Sequence, residues 1–346
     1  MSRITLKQVA EQASVSVQTV SHILNDRQDK PYKQETRDRV FDAAKKLGYR
    51  PNAAARSMVT QQSRNIGLVM HTNPEAWFNT VDAYEIMLGL NALLSPKGFV
   101  CSMIPVGQLS KPGSESRIFR EQVLDGVVVC GHADQSVYER IEQSVDVCIW
   151  VDTDINRPQG CIRRDEQHNA YLAAQKLAEL GYRKLIWMDY AIHWSHYSHR
   201  DRQAGFDRAL RDYDLQGDTL PCVKPWIGIS PQTIARKLAP DVAVLTSRHQ
   251  FATSLMHTML HENLRPGYDY GLATLDVSID SEHTWPGLAC VETDRANIGK
   301  LAGHMFLDAL KNKGKLPDSV CLQGVWHAGD TAWGPRENKS YSDGSH

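Results

Sequence analysis

Between Thr5 and Asn25 two short amphipathic segments stand only three residues apart, and that spacing leaves few folds open. Thr5 and Gln8 have the separation of a capping box, in which the hydroxyl accepts from the N3 amide and the amide side chain reaches back, so a helix is predicted to start there. Leu6, Val9, Ala10 and Ala13 then share one face at helical spacing. After Ser14-Val15-Ser16, Ser16 is placed to cap a second helix that turns Val20, Ile23 and Leu24 inward and Val17, Gln18, Ser21 and His22 outward. This reads as a helix-turn-helix offering polar side chains to a DNA groove. Two ordinary bundle helices would share the bare pattern. A third amphipathic helix removes weight from that alternative: it runs from Glu35-Thr36-Arg37 through Val40, Ala43, Ala44 and Leu47, stops at Gly48, and leads into Pro51-Asn52 and a small-residue segment.

Charge is divided in the same way. Residues 1–64 carry twelve Lys/Arg against six Asp/Glu, leaving 27 against 34 for the remainder, although the whole chain nets only −1. A basic head on an acidic body implies that the head alone meets phosphate. The seven cysteines (Cys101, Cys130, Cys148, Cys161, Cys222, Cys290 and Cys321) are scattered without CxxC or paired spacing. They are expected to be reduced core thiols of a cytoplasmic protein. Neither a leader sequence nor an apolar run of bilayer length is evident, so a secreted or membrane role is not expected.

From Arg64 onward short apolar runs alternate with longer amphipathic ones. Ile66–Met70, Val100–Ile104, Val127–Cys130 and Val147–Val151 are strand candidates, with helices near Val81–Leu94, Ser116–Leu124 and Gln135–Gln143. A second series follows Asp165: a helix stopped at Gly181, strand Lys184–Met188, a helix near Arg200–Tyr213, strand Val242–Thr246, helix Phe251–Glu262 and strand Tyr270–Leu275. Such alternation argues for right-handed βαβ units, and two series for two α/β lobes with parallel sheets.

In its order of motifs the chain resembles the lactose-repressor/galactose-repressor family of bacterial transcription regulators. The matches in the head are Val9-Ala10, Val15-Ser16, Thr19-Val20-Ser21, Asn25, Thr36-Arg37, Leu47-Gly48-Tyr49, Pro51-Asn52, Ala55-Arg56-Ser57 and Ile66-Gly67; in the body they are Asp165, Leu180-Gly181-Tyr182, Arg202 with Gly205-Phe206, Leu275-Asp276 and Asp294 with Ile298-Gly299. The resemblance implies an all-α headpiece (1–50), a hinge helix and linker (51–64) and a periplasmic-binding-protein-like effector domain (65–335) before a disordered tail (336–346). Its first lobe would hold about 65–163 and 293–324, its second about 164–292 and 325–335. The second helix would lie in the major groove, with Val17, Gln18 and His22 at base edges. Gln suits adenine and Val a thymine methyl, whereas the partner of His depends on its tautomer. Thr5, Ser16, Thr19, Ser21, Asn25, Tyr49 and Asn52 join the expected DNA-binding set, as do Ala55, Arg56 and Met58 of a hinge that would become helical on operator DNA. Met58 stands where the family usually has Leu, as an apolar wedge between base steps.

In the cleft between the lobes, the resemblance assigns Arg202 and Asp276 to the effector, where a guanidinium fork and a carboxylate would grip adjacent hydroxyls. An ordinary interlobe ion pair is the alternative. His71, Trp77 and Phe78 follow the first strand, Tyr190 and Trp194 lie at another strand end, and Trp226 sits in a loop where family members stack an aromatic on the ligand; a core role for any one of these aromatics stays open. Arg248-His249 replaces the family's Asn-Asp pair, and Arg202 with Arg248 would favour an acidic or phosphorylated sugar. His193, His196 and His199 have metal-like spacing but lack a completing ligand, so no metal or cofactor is expected. Missing phosphate-loop and nucleophile patterns disfavour an enzyme. The expectation is a homodimeric repressor binding a palindromic operator under control of a sugar or sugar derivative, with a purine corepressor or a protein partner as alternatives.

Overall fold

The computed structural model describes residues 4–25, 31–52, 57–58, 60–71, 79–106, 121–132, 135–190, 196–222, 230–277 and 284–335. It divides into two units, 1–64 and 65–346. In the first, α1 (Leu6–Ala13), α2 (Val17–Leu24) and α3 (Gln34–Leu47) close around Val9, Ala10, Ala13, Val20, Ile23, Val40, Ala43 and Ala44. The capping box forms, with the Gln8 amide N–H donating to Thr5 Oγ1 at 3.4 Å and the Thr5 N–H donating to Gln8 Oε1 at 2.9 Å. Ser16 Oγ accepts from the Thr19 N–H at 3.1 Å, which fixes the start of α2. The turn between them places Ser14 in the left-handed region at φ 53°, and Gly48 takes the same region at the end of α3. Ser57, Met58 and Thr60 have helical backbone, whereas Ala55 and Arg56 lie outside the described residues.

The second unit contains two six-stranded sheets. One is ordered β11-β5-β4-β3-β1-β2, from β1 (Asn65–His71), β2 (Val100–Val106), β3 (Gly126–Cys130), β4 (Cys148–Val151), β5 (Cys161–Arg164) and β11 (Val320–Leu322). The other is ordered β12-β10-β9-β8-β6-β7, from β6 (Lys184–Tyr190), β7 (Gln216–Cys222), β8 (Val242–Thr246), β9 (Gly271–Thr274), β10 (Ala289–Glu292) and β12 (Val325–His327). Neighbouring strands pair in parallel except β10 with β12. The fold is therefore the expected helical head with a two-lobed α/β body. Helices α4 (Asn79–Leu94) and α5 (Gln135–Ser144) belong to the first lobe, and α6 (Glu166–Glu179), α7 (Tyr197–Asp212), α8 (Pro231–Ala235) and α9 (His249–Leu260) to the second. Helix α10 (Arg295–Lys311) returns to the first lobe, where Ile298, Ala302 and Phe306 share a core with Ile86 and Leu90 of α4.

The chain crosses between lobes after β5, after β10 and between β11 and β12. Asn169, buried on α6, ties two of these passages together: its amide donates to Thr293 Oγ1 at 3.5 Å, and its oxygen accepts from the Gly324 N–H at 2.7 Å. At the first passage the Asp165 N–H donates to Leu322 O at 2.7 Å.

Two expectations need correction. Residues 121–124, the end of the predicted helix 116–124, are not helical, and the rest of it lies outside the described residues, as does the 336–346 tail. Cys321 is exposed and Cys101 half-buried, so only the other five cysteines are core thiols. Strand β7 also escaped the pattern, because Gln216–Cys222 lies at a sheet edge and buries only Leu220 and Cys222. A polar run containing Pro221 suits an edge and does not read as an apolar strand.

Helices α4 and α10 approach closely enough that a methyl group at Gly299 would lie 2.0 Å from the Ile86 carbonyl oxygen, and one at Gly89 would lie 1.7 Å from that of Ala296. Backbone cannot retreat as a side-chain tip can. Gly299→Ala should therefore cost about 3 kcal/mol or more, read as a lower denaturation midpoint of the second unit.

Candidate functional site

In the headpiece, Val17 and Gln18 at the start of α2 are exposed, while Ser21 and His22 are half-buried. Thr5, Ser16 and Thr19 use their hydroxyls in helix caps, Ser16 Oγ and Thr19 Oγ1 lying 2.9 Å apart. Asn25 closes α2 by donating to Ser21 O at 2.7 Å. Tyr49 is half-buried after α3, Asn52 is exposed, and Met58 is 84% exposed. An apolar side chain left that open on helical backbone has little cover from the described residues of the headpiece.

In the second unit a charge array fills the space between the lobes. Asp276, just past β9 and 4% exposed, meets four guanidinium groups. Arg295, at the first turn of α10, donates to its Oδ1; Arg164 stands 3.5 Å away, and Arg202 and Arg248 each 3.7 Å. Burial by itself would raise the Asp276 carboxyl, but the four cations, led by Arg295, hold it far below the usual carboxylate range. Glu166, equally buried, takes both arms of Arg202 at 2.8 Å and Arg164 at 3.1 Å. Arg202 also donates to Ser247 O at 3.0 Å. Asp152 accepts from Arg164 Nε at 2.8 Å and from the Tyr197 hydroxyl at 2.9 Å. Asp82 faces Arg248 and Arg295 at 3.5 Å, and Glu85 faces Arg295 at 3.6 Å. Asp82, Glu85 and Arg295 come from the first lobe and Arg248 and Asp276 from the second, so the array crosses the cleft.

Arg202 and Asp276 are thus brought together, but Glu166, not Asp276, is the main partner of Arg202. Arg248 is drawn to carboxylates of both lobes. Tyr190 is half-buried, edge-on to Phe251 at 4.8 Å and near His199 at 6.4 Å. His71 closes β1 with its side chain outside the described set; Trp77, Phe78, Trp194 and Trp226 lie outside it altogether. His193 does too, while His196 and His199 turn to different partners. His199 Nδ1 is 3.0 Å from Asp189 Oδ2, and Ser247 donates to Asp189 Oδ1 at 2.6 Å. His196 lies 2.8 Å from the Asp152 carbonyl through Nε2 and accepts from the Ser198 N–H at Nδ1. Among the described residues no His/Cys/Asp/Glu cluster could hold a metal, and no helix is long and apolar enough to cross a membrane.

Asp82, Asp152, Arg164, Glu166, Arg295, Asp189, Tyr197 and Ser247 are not among the residues expected from the sequence, where His196 enters only through its spacing with His193 and His199. A usable signal existed for three of them: Arg164 and Glu166 flank the matched Asp165, and Arg295 follows the matched Asp294.

Two outcomes follow. Arg202→Ala would remove both hydrogen bonds that the guanidinium gives the buried Glu166, leaving Arg164 as its cation, and should destabilise the second unit by about 3 kcal/mol, measurable by denaturant unfolding. Burial pushes His196 down to about 4 despite its Asp152 hydrogen bond. The unfolded chain then binds a proton that the folded chain refuses, so stability present above about pH 6.5 should fall as pH drops toward 4, by up to about 1.4 kcal/mol per pH unit. His196→Gln should flatten that slope in a pH series of unfolding curves.

Residues 5–52 match the family model for bacterial regulatory proteins of the lacI family, and residues 63–247 match that for periplasmic binding proteins and the sugar binding domain of the LacI family. The HTH-type transcriptional repressor PurR of Vibrio cholerae (strain M66-2) is 25% identical over 323 residues, covering 89% of this chain and 92% of its own. Among solved structures, the lac repressor dimer bound to operator and the anti-inducer ONPF superposes with a TM-score of 0.74 at 21% identity, over 96% of this chain and 99% of that one. A transcriptional regulator CelR–cellobiose complex does so with a TM-score of 0.63 at 21% identity, over 95% and 100%. The head and the body thus match the two parts of one architecture, in order along a single chain, and the protein belongs to the LacI family of bacterial regulatory proteins as a DNA-binding transcription regulator.

Proposed function

We propose that the chain represses transcription as a homodimer on a palindromic operator and that a small, hydroxyl-rich, uncharged carbohydrate controls it from the cleft between the lobes. The carrying observation is Asp276 Oδ2. It is buried, Arg202 and Arg248 each stand 3.7 Å from it, and it has no hydrogen-bond partner among the described residues. A carboxylate oxygen so placed calls for a donor, and a ligand hydroxyl supplies one at no cost in charge. Charge balance supports a neutral ligand over the acidic or phosphorylated sugar that Arg202 and Arg248 suggest by themselves. Arg202 is matched by Glu166 and Arg248 by Asp82 and Asp276, so an anion would have to displace a carboxylate already in place. The sugar-binding description of the matched family model and the cellobiose complex of one structural neighbour point the same way.

For the DNA half, Val17, Gln18 and His22 would read the major groove and Met58 would wedge the minor groove. The ligand would act by re-pairing charges that join the lobes, and effector and operator must then change each other's affinity by the same factor.

A thermal-shift panel of neutral sugars, uronic and phosphorylated sugars, and purines tests the cleft. At about 100 times its dissociation constant a ligand adds roughly 2.7 kcal/mol. A neutral sugar that stabilises the protein and alters its affinity for DNA selected from a random library is the expected result. Stabilisation by anionic sugars alone would sink the charge argument, and a purine hit would transfer the cleft to a corepressor. Met58→Gly should weaken binding to the selected DNA by about tenfold while leaving the ligand shift intact; equal loss of both would contradict the wedge.

A further inference from the structure

The base-reading face of α2 contains one side chain whose chemistry the helix does not determine. His22 can present either a donor or an acceptor, depending on which ring nitrogen holds the proton. In the folded headpiece its Nδ1 lies 2.9 Å from the hydroxyl of Tyr32, with ring centroids 6.3 Å apart and tilted by 46°. Tyr32 comes from the segment between α2 and α3, and its ring packs against the same core as Leu24, Leu47 and Tyr49, so the hydroxyl is held from beneath. Nε2, on the far side of the imidazole, is the nitrogen left to meet a partner.

We propose that Tyr32 is a positioning residue for sequence recognition, which locks His22 as a hydrogen-bond donor toward the DNA. A phenol O–H is a much stronger acid than a neutral imidazole N–H, and an imidazole lone pair is a much better acceptor than a phenol oxygen. The favoured bond is therefore Tyr32 O–H donating to Nδ1, which puts the ring proton on Nε2. If the ring gains a second proton, the Tyr32 oxygen accepts from Nδ1 and Nε2 still donates. In both charge states His22 offers the groove a donor.

Base edges differ sharply toward a donor. Guanine presents N7 and O6 side by side, adenine offers N7 and thymine O4, whereas cytosine exposes only its amino group. At the base it faces, His22 should accept guanine and reject cytosine. Without the Tyr32 hydroxyl the proton can move to Nδ1, Nε2 can accept, and cytosine becomes tolerable.

This inference rests on α2 reading the groove, and the test separates the two. Full-length wild type, His22→Ala and Tyr32→Phe are each equilibrated with a pool of DNA duplexes carrying randomised palindromic half-sites, and the bound fraction is sequenced. Because all sequences compete for the same protein, partial loss of folded protein cancels from the ratios. His22→Ala should flatten preference at one position of the half-site. At that position wild type should favour guanine over cytosine by about tenfold, and Tyr32→Phe should reduce this to about threefold or less with the other positions unchanged. If Tyr32→Phe keeps the wild-type ratio, or flattens every position alike, Tyr32 only packs and the inference falls. If His22→Ala changes no position, the groove reading of His22 fails and takes the inference with it.

Discussion

Four guanidinium groups and one buried carboxylate meet between the lobes, and the rest of the effector unit is arranged so that none of those charges is stranded. Asp276 could not remain ionised at 4% exposure without Arg295, Arg164, Arg202 and Arg248 around it. Those arginines in turn draw on Glu166, Asp152, Asp82 and Glu85. Replacing such an array with packed apolar side chains would often leave stability unchanged or improve it, whereas removing one member leaves an uncompensated charge. Its effect is therefore less on stability than on the character of the space between the lobes, which it makes polar.

The array also depends on the crossings. Arg164 ends β5 immediately before the first passage, Arg295 opens α10 immediately after the second, and Asn169 holds the second and third passages to α6. Arg164 and Arg295 thus stand at the crossings themselves while both face Asp276. Charge pairing and the crossings therefore share the same residues, and Gly89 and Gly299 let α4 and α10 approach closely beside the Arg295 end.

The headpiece uses different physics. Its small core is assembled from local contacts, and its helix ends are closed by side chains a few residues away, Thr5 with Gln8 and Ser16 with Thr19. Such closure leaves Val17 and Gln18 on the outer face of α2 exposed. Tyr32 shows that even a connecting segment can reach that face, through a ring anchored in the core and a hydroxyl set against His22.

These differences explain what could be read before any coordinates. The head was legible because capping spacing, the stop at Gly48 and apolar residues three and four apart are properties of a single stretch of chain. The alternation of strands and helices was legible for the same reason, although the polar edge strand β7 and the end of the helix predicted near Ser116–Leu124 were not. Within the cleft, the sequence pointed to Arg202, Arg248 and Asp276 but left their partners open. Those partners run from Asp82 to Arg295 without any recurring interval, and each is an unremarkable charged residue in its own segment. What the sequence determined by itself was local: the caps, periods and punctuation that make each element. Which charges would neutralise one another was decided only when the two sheets closed on each other, because electrostatic pairing depends on distance in space and burial, and neither is written in the order of residues.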